Sequence, residues 1–299
     1  MPSDPELETR GRLIRSLGAL REMLPGSFVE RKRRCGRPNC HCADGSNLHS
    51  QFQISVLVQG KPKTFNIKVA SVVWATGWNP YDPTKMTNLS FGKVQNVITN
   101  MMMERLAAVN GPTNGKIIRP SDGKAVNNIA FVQCAGSRDE NHLPFCSYIC
   151  CLASLKQTTY IREANPESKA TIYYIDLRTP GRYEKFYKKV KADGNVSFLK
   201  GKVAKIEEDP ATKDVIVTVE DTLSGKKIQA RHEMVVLATG MEPSTAQVKV
   251  PGNAKYDDNS FVISDEILAT GCVKKPSDVM SSGQTATGTA LKAIQMVRR

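Results

Sequence analysis

The chain contains no long apolar run. None of its 299 residues fall in a stretch approaching the roughly 18 apolar residues that a membrane-spanning helix requires. The first residues, MPSDPELETRGRLIRS, carry acids and no apolar core, which argues against a secretory leader. There are no internal repeats and no low-complexity tract. The first 68 residues hold glycines at 11, 18, 26, 36, 45 and 60 and never a G-x-G pair. That excludes, in this stretch, the glycine turn that seats a dinucleotide pyrophosphate on a helix N-terminus. What remains is 40% hydrophobic and 24% charged, the composition of a soluble globular protein, with the reducing cytoplasm as its expected location. In that compartment the eight cysteines are more readily metal ligands or redox groups than disulfides.

Charge is unevenly spread. The net charge is +13, and residues 1–68 carry 12 Lys and Arg against 6 Asp and Glu. The densest basic run is ERKRRCGR, Glu30 to Arg37. Such a run suits a phosphate backbone, or simply a solvated face. Upstream, Leu13, Leu17, Leu20 and Leu24 recur at helical spacing, and Pro25-Gly26 ends that helix. FQISVLVQGKPKTFNI then alternates on both sides of Gly60 to Lys63, which predicts a β-hairpin.

From about Val69 the texture changes. VASVVWATGW predicts a buried strand and VQNVITNMMMERLAA a helix. NNIAFVQCAGSRDE predicts a strand and turn, CSYICCLASLKQTTYIREA a helix, and ATIYYIDLR a second buried strand. GRYEKFYKKVKA predicts a helix, VSFLKGKVAKIEED a pair of strands, VIVTVED and KKIQARHEMVVLATG further strands, and GTALKAIQMVRR a terminal helix. Strands alternating with helices imply an α/β chain with a parallel sheet and helices on both faces. The expected division is 1–68 and 69–299, with a Rossmann-like half at about 127–235.

Four cysteines fall within 18 residues: Cys134, Cys146, Cys150 and Cys151. A cubane iron–sulfur cluster needs four thiolates converging from one side. Cys146 and Cys150 would share a face of a helix, whereas Cys151 would point away from it. Cys151 reaches a common site only if the helix begins late or the segment bends. Zinc sites favour C-x2-C pairs, which this stretch lacks. Four ordinary buried thiols are the bland alternative, made less attractive by their density.

Two further motifs stand out. VVWATGWNP, Val72 to Pro80, and VVLATGMEP, Val235 to Pro243, share an apolar strand, Ala-Thr-Gly and a proline. Gly77 and Gly240 would let the backbone turn sharply beside a ligand. In ILATGCVKKPSDVMSSGQTATGTALKAI, Ile267 to Ile294, a strand ends at Gly271 and a helix starts near Ser281. The helix N-terminus would suit the electron-rich edge of a flavin, or be capped by Ser281 or Ser282 without any ligand.

Taken together, VVWATGWNPYD, NVITNMMMERLAA, FVQCAGSRDENHLPFCSYICC, YIDLRTPGRYEKFY, VVLATGMEPS and GCVKKPSDVMSSGQTATG make residues 69–299 resemble the A subunit of heterodisulfide reductase and its relatives. Within that family they look nearest to the A subunit of the quinone-interacting membrane-bound oxidoreductase. The resemblance implies a thioredoxin-reductase-like, doubly wound FAD/NAD(P)-binding fold, here incomplete at its N-terminal edge. It also implies an electron-transfer oxidoreductase that works with other redox subunits of a complex, membrane-associated complexes included. By the same resemblance Cys134, Cys146, Cys150 and Cys151 hold a 4Fe-4S cluster. Thr76, Gly77, Gly271, Cys272, Asp278 and Ser282 meet the ring end of FAD, with Gly240 at the second crossing. QCAGSRD stands where a nicotinamide pyrophosphate turn would be, so no NAD(P) site is expected there. Without a pyrophosphate turn in residues 1–68, FAD is expected to bind weakly or not at all.

Residues 1–68 resemble a short domain of unknown function found near mobile elements. There Cys35, Cys40, Cys42 and His49 could form a Cys3His zinc site, although C-x4-C-x-C is an unusual spacing. Two alternatives to the redox reading follow. One is a zinc-stabilised nucleic-acid-binding module at 1–68 carrying a passenger; the other is a non-functional gene remnant.

Overall fold

The computed structural model describes residues 30–33, 49–58, 61–69, 71–264 and 267–298. Strands β1 (Glu30–Arg33), β2 (His49–Val58) and β3 (Lys61–Val69) form an antiparallel sheet in that order. The predicted hairpin is thus present, and part of the basic run pairs with it as β1. The helix expected near residues 7–24 lies outside the described residues. So do Cys35, Cys40 and Cys42; of His49 only the backbone, at the start of β2, is described.

Two short strands follow, β4 (Val73–Trp74) and β5 (Trp78–Pro80). The buried strand expected around VASVVWATGW is therefore only two residues long, with Val73 exposed. Next come β6 (Val97–Thr99) and α1 (Asn100–Ala107). The apolar NVIT segment suggests helix throughout; its first part is instead a strand of the main sheet. Thr99 separates the two elements, its Oγ1 accepting from Met102 N at 3.2 Å as an N-cap.

The main body is a seven-stranded sheet. It contains β6, β7 (Asn128–Ala135), β8 (Lys169–Tyr174), β9 (Val196–Glu208), β10 (Val215–Asp221), β11 (Lys227–His232) and β12 (Met234–Thr239). Their order is β11-β10-β9-β8-β7-β12-β6. From β9 to β6 the pairing is parallel, while β9-β10-β11 is an antiparallel meander. The stretch that reads as a strand pair at 196–208 is one long strand that changes neighbours. It pairs with β8 up to Lys200 and with β10 from Gly201 onward. Gly201 permits the switch, because a Cβ there would fall 2.2 Å from the Glu220 carbonyl oxygen.

Alternation along the strands builds two cores. Ile129, Phe131, Ile172, Met234 and Val236 face one side, where they meet Met103 of α1, Leu155 and Ile161 of α2 (Cys150–Ala164) and Val190 of α3 (Tyr183–Lys191). Ala130, Val132, Tyr173, Val235 and Leu237 face the other side, against Val203, Val215, Val217 and Val219 of the meander and Tyr81 to Val94. All three helices therefore lie on one face. The expected covering of the second face by helices is made instead by the sheet curling back on itself through β9–β11.

The remaining elements form a thinner flank. β13 (Met241–Pro243) pairs with β5, and β14 (Lys255–Tyr256) with β15 (Val262–Ile263). β16 (Leu268–Ala269) runs parallel to β4, and α4 (Val279–Arg298) follows. Among the described residues the flank core is built on Val250, Val262, Ala269 and Val273. Along α4, Val279, Met280, Leu291, Ile294 and Met296 are exposed. No helix among the described residues is long and apolar enough to cross a membrane.

Candidate redox site

The four clustered cysteines come from two element ends and the loop that joins them. Cys134 sits near the end of β7, where the chain leaves the sheet through a run of left-handed residues: Cys134 at φ 55°, Gly136 at φ 76° and Arg138 at φ 56°. Only a glycine fits at 136, since a Cβ there would lie 2.5 Å from the Tyr81 ring. The loop folds onto itself through Leu143 N to Gly136 O at 3.1 Å and Arg138 N to Phe145 O at 3.1 Å. Tyr81 braces it from outside, its hydroxyl 3.0 Å from His142 Nδ1.

Cys146 precedes the helix rather than sharing it. Tyr148 is left-handed at φ 69°, and α2 begins only at Cys150. The late start is the condition under which Cys151 can join Cys150 and Cys146. Each of Cys134, Cys150 and Cys151 feels the charge of Cys146, and Cys150 and Cys151 both feel Cys134. The four sulfurs are thus electrostatic neighbours. They are not drawn in tightly: among the described residues no three His, Cys, Asp or Glu side chains close into a metal-holding group.

As free thiols, Cys134, Cys150 and Cys151 are held in their protonated form. Burial pushes the Cys150 pKa far up, that of Cys151 up to about 11, and that of Cys134 up. Cys150 Sγ donates to the Thr239 carbonyl at 3.5 Å, and Cys151 Sγ lies 3.9 Å from the Asp176 carbonyl. Cys146 Sγ accepts from Tyr148 N at 3.3 Å, and the Arg178 amide points at Cys151. Beside them both amide atoms of Gln133 and Ser154 Oγ are buried without a protein partner. An all-sulfur donor set, backbone N–H groups aimed at sulfur and unpaired buried polar atoms fit a group bound through thiolates. Bound metal would supply the positive charge that burial otherwise denies to thiolates.

Ser147 stabilises the floor of this site. Its Oγ lies 2.7 Å from Ser137 Oγ and accepts from Met241 N at 2.8 Å. Gly240 lies against this pair, with a hypothetical Cβ 2.6 Å from both Ser137 Oγ and Leu143 Cδ1. The second Ala-Thr-Gly copy therefore lies under the cysteine loop. Thr239 Oγ1 donates to Asn100 Oδ1 at 3.0 Å, and Gln157 Nε2 donates to the Asn100 carbonyl at 2.9 Å.

The residues expected at a flavin ring gather in part on the flank. Gly77 is left-handed at φ 78°, its carbonyl accepts from Ser244 N at 3.1 Å, and Ser244 Oγ donates to Thr76 Oγ1 at 2.7 Å. Gly271, at φ 65°, lies close to Ser282, whose Oγ would be 3.9 Å from a Cβ on the glycine. Asp278 caps α4, its Oδ1 accepting from Ser281 N at 2.7 Å. The cap is therefore Asp278 rather than the Ser281 or Ser282 that the sequence suggests. Asp278 is 5% exposed, and its Oδ2 is buried without a partner. That orphaned oxygen fits a hydroxyl-bearing ligand at the helix start. Cys272 Sγ instead donates to the Ser277 carbonyl at 3.4 Å, within its own turn.

The structure adds residues that motif reading passes over. Arg138 and Asp176 pair at 2.7 Å beside Cys134 and Cys151, and Ser137 and Ser147 pair beneath them. Arg138 and Ser147 belong to the cysteine segment itself, but nothing in their spacing sets them apart from solvated loop residues. Asp176 is brought in by β8, 25 residues beyond Cys151.

The family described as Domain of unknown function (DUF6788) matches residues 5–65. The chain is 36% identical over 249 residues to the second iron-sulfur A subunit of CoB--CoM heterodisulfide reductase from Methanopyrus kandleri, covering 78% of this chain and 38% of that protein. It is 34% identical over 276 residues to the A subunit of H(2):CoB-CoM heterodisulfide,ferredoxin reductase from Methanothermobacter thermautotrophicus, covering 86% of this chain and 40% of the relative. A third relative, the A subunit of H(2)/formate:CoB-CoM heterodisulfide,ferredoxin reductase from Methanococcus maripaludis, is 42% identical over 184 residues, covering 61% of this chain and 28% of the relative. The resemblance to the heterodisulfide reductase A subunits therefore holds over most of the chain, which spans well under half the length of these relatives. Among solved structures, thioredoxin reductase of Lactococcus lactis aligns with a TM-score of 0.49 at 14% identity, covering 83% of this chain and 70% of that one.

Proposed function

We propose that this chain is an electron-transfer component of the heterodisulfide reductase A type, working together with other redox subunits. A 4Fe-4S cluster would be held by Cys134, Cys146, Cys150 and Cys151. The carrying observation is that these four thiols, from the end of β7, the loop after it and the start of α2, are electrostatic neighbours. When bound, the cluster supplies one-electron chemistry. The chain's own residues do the rest. The left-handed turn at Cys134, Gly136 and Arg138 fixes the first sulfur, and the N–H groups of Tyr148 and Arg178 stabilise thiolate charge. The buried Ser137–Ser147 pair keeps the loop in place over β12. On the flank, Thr76, Gly77, Gly271, Asp278 and Ser282 would meet the ring end of a flavin. With no pyrophosphate turn in residues 1–68, we expect flavin to bind weakly or not at all to the isolated chain.

The test is anaerobic purification followed by iron, acid-labile sulfide and flavin assay, with electron paramagnetic resonance of the reduced sample. About four irons per chain are expected, falling sharply when Cys146 or Cys150 becomes Ser. Iron-free protein after reconstitution, or equal iron in the cysteine variants, overturns the assignment.

A further inference from the structure

Two charged side chains lie beside Cys134 and Cys151 and belong to neither the ligand set nor the core. Arg138 is 24% exposed at its side chain and donates from Nη1 to Asp176 Oδ1 at 2.7 Å. Its positive charge also acts on Cys134, opposing the upward push of burial on that thiol. Asp176 is tied to the same site twice, because its backbone carbonyl faces Cys151 Sγ and its carboxylate pairs with Arg138. Arg178 reaches the same carboxylate oxygen at 3.4 Å. The nearby acid Asp139 is taken up by Lys202 at 2.7 Å. Arg138, Asp139 and Arg178 line a cavity of about 380 Å3 together with Glu140, Pro144 and Cys146.

We propose that the Arg138–Asp176 pair sets the reduction potential of the centre held by the four cysteines; this rests on the cluster reading above. A fixed cation next to a ligand sulfur favours the state with one more electron, and a fixed anion disfavours it. Arg138 is the more buried of the two, so water screens it less and it weighs more. Asp176 is half-exposed, so water screens it, and it acts both directly and by holding the guanidinium in place. Removing the cation should lower the midpoint potential, and removing the anion should raise it. Opposite signs from two partners of one ion pair would not arise from loosened packing alone.

The experiment is a redox titration followed by electron paramagnetic resonance on the full chain, with iron and sulfide content measured on the same samples. Arg138→Gln is expected to move the midpoint to more negative potential, and Asp176→Asn to move it, by less, to more positive potential. Arg138→Lys keeps the charge and should stay near the wild type. Iron-replete variants whose midpoints coincide with the wild type, or move in the same direction, overturn the inference. If Arg138→Gln fails to retain iron, Asp176→Asn decides: an unchanged or more negative midpoint overturns the proposal. Wild-type protein that takes up no iron overturns the cluster reading itself, and this inference with it.

Discussion

The same tripeptide, Ala-Thr-Gly, ends an apolar strand in two places, and the two copies lead different lives. At Ala238-Thr239-Gly240 every residue is buried, Thr239 bonds Asn100 and Cys150, and Gly240 is pressed by Leu143 and Ser137. At Ala75-Thr76-Gly77 the alanine and threonine are exposed, and a Cβ on Gly77 would meet nothing within 4 Å. Gly240 is required for close packing, whereas Gly77 is required for its positive φ. The difference follows from what each strand pairs with. β12 lies between β7 and β6 inside a seven-stranded sheet with a core on each side, and among the described residues β4 pairs only with the two-residue β16. One region is a finished core; the other is a thin flank with an apolar helix face exposed.

The comparison can be sharpened first on the finished side. His232 is 4% exposed, with Nε2 2.8 Å from the Tyr173 hydroxyl and Nδ1 2.9 Å from Asn128 Oδ1. Burial lowers its pKa to about 4, from about 6.5 unfolded. Above the unfolded value both states are neutral and the fold carries no penalty. As pH falls from about 6.5 to about 4, the unfolded chain takes up the proton first and stability is lost, by about 3 kcal/mol in all. Urea unfolding midpoints measured at several pH values should show this slope in the wild type and lose most of it in His232→Gln. An equal slope in both would show that the sheet core does not enforce a neutral histidine.

The two glycines come next. Gly240→Ala should cost about 1–3 kcal/mol by overpacking against Leu143 and Ser137. It should also lower iron retention, because the same serine positions the cysteine loop. Gly77→Ala should cost about 1–2 kcal/mol from its left-handed backbone alone and leave iron retention unchanged. Matched iron loss in the two variants would erase the distinction drawn between the copies. The smallest effect is expected on the flank. Leu291→Ala on α4, where the side chain is 57% exposed, should change stability by no more than about 0.5 kcal/mol. A loss of several times that would mean that the α4 face is covered in solution.

Much of this is legible in the residues. The apolar runs in NNIAFVQCA and MVVLAT place two inner strands, and the density of Cys134 to Cys151 marks the candidate site. The misreadings have physical causes. NVIT next to MMMERLA gives one apolar tract to two element types, because a three-residue buried strand shows no period of its own. The 196–208 strand looks like two because Gly201 interrupts its pattern where it changes partners. Asp278 reads as a ligand contact rather than a cap, and the structure gives its two oxygens different surroundings: Oδ1 caps the helix and Oδ2 is left unpaired.

The sequence alone determined the α/β pattern, the cysteine spacing and the two Ala-Thr-Gly crossings, since these are set by local periodicity and by residue type. Only the tertiary structure decided that α2 starts at Cys150, so that Cys146 and Cys151 can share one site. It alone put Gly240 under the cysteine loop and brought Asp176 to Arg138 across 38 residues. Those arrangements depend on which strands lie side by side, and that is fixed by packing two faces of one sheet rather than by any short stretch of chain.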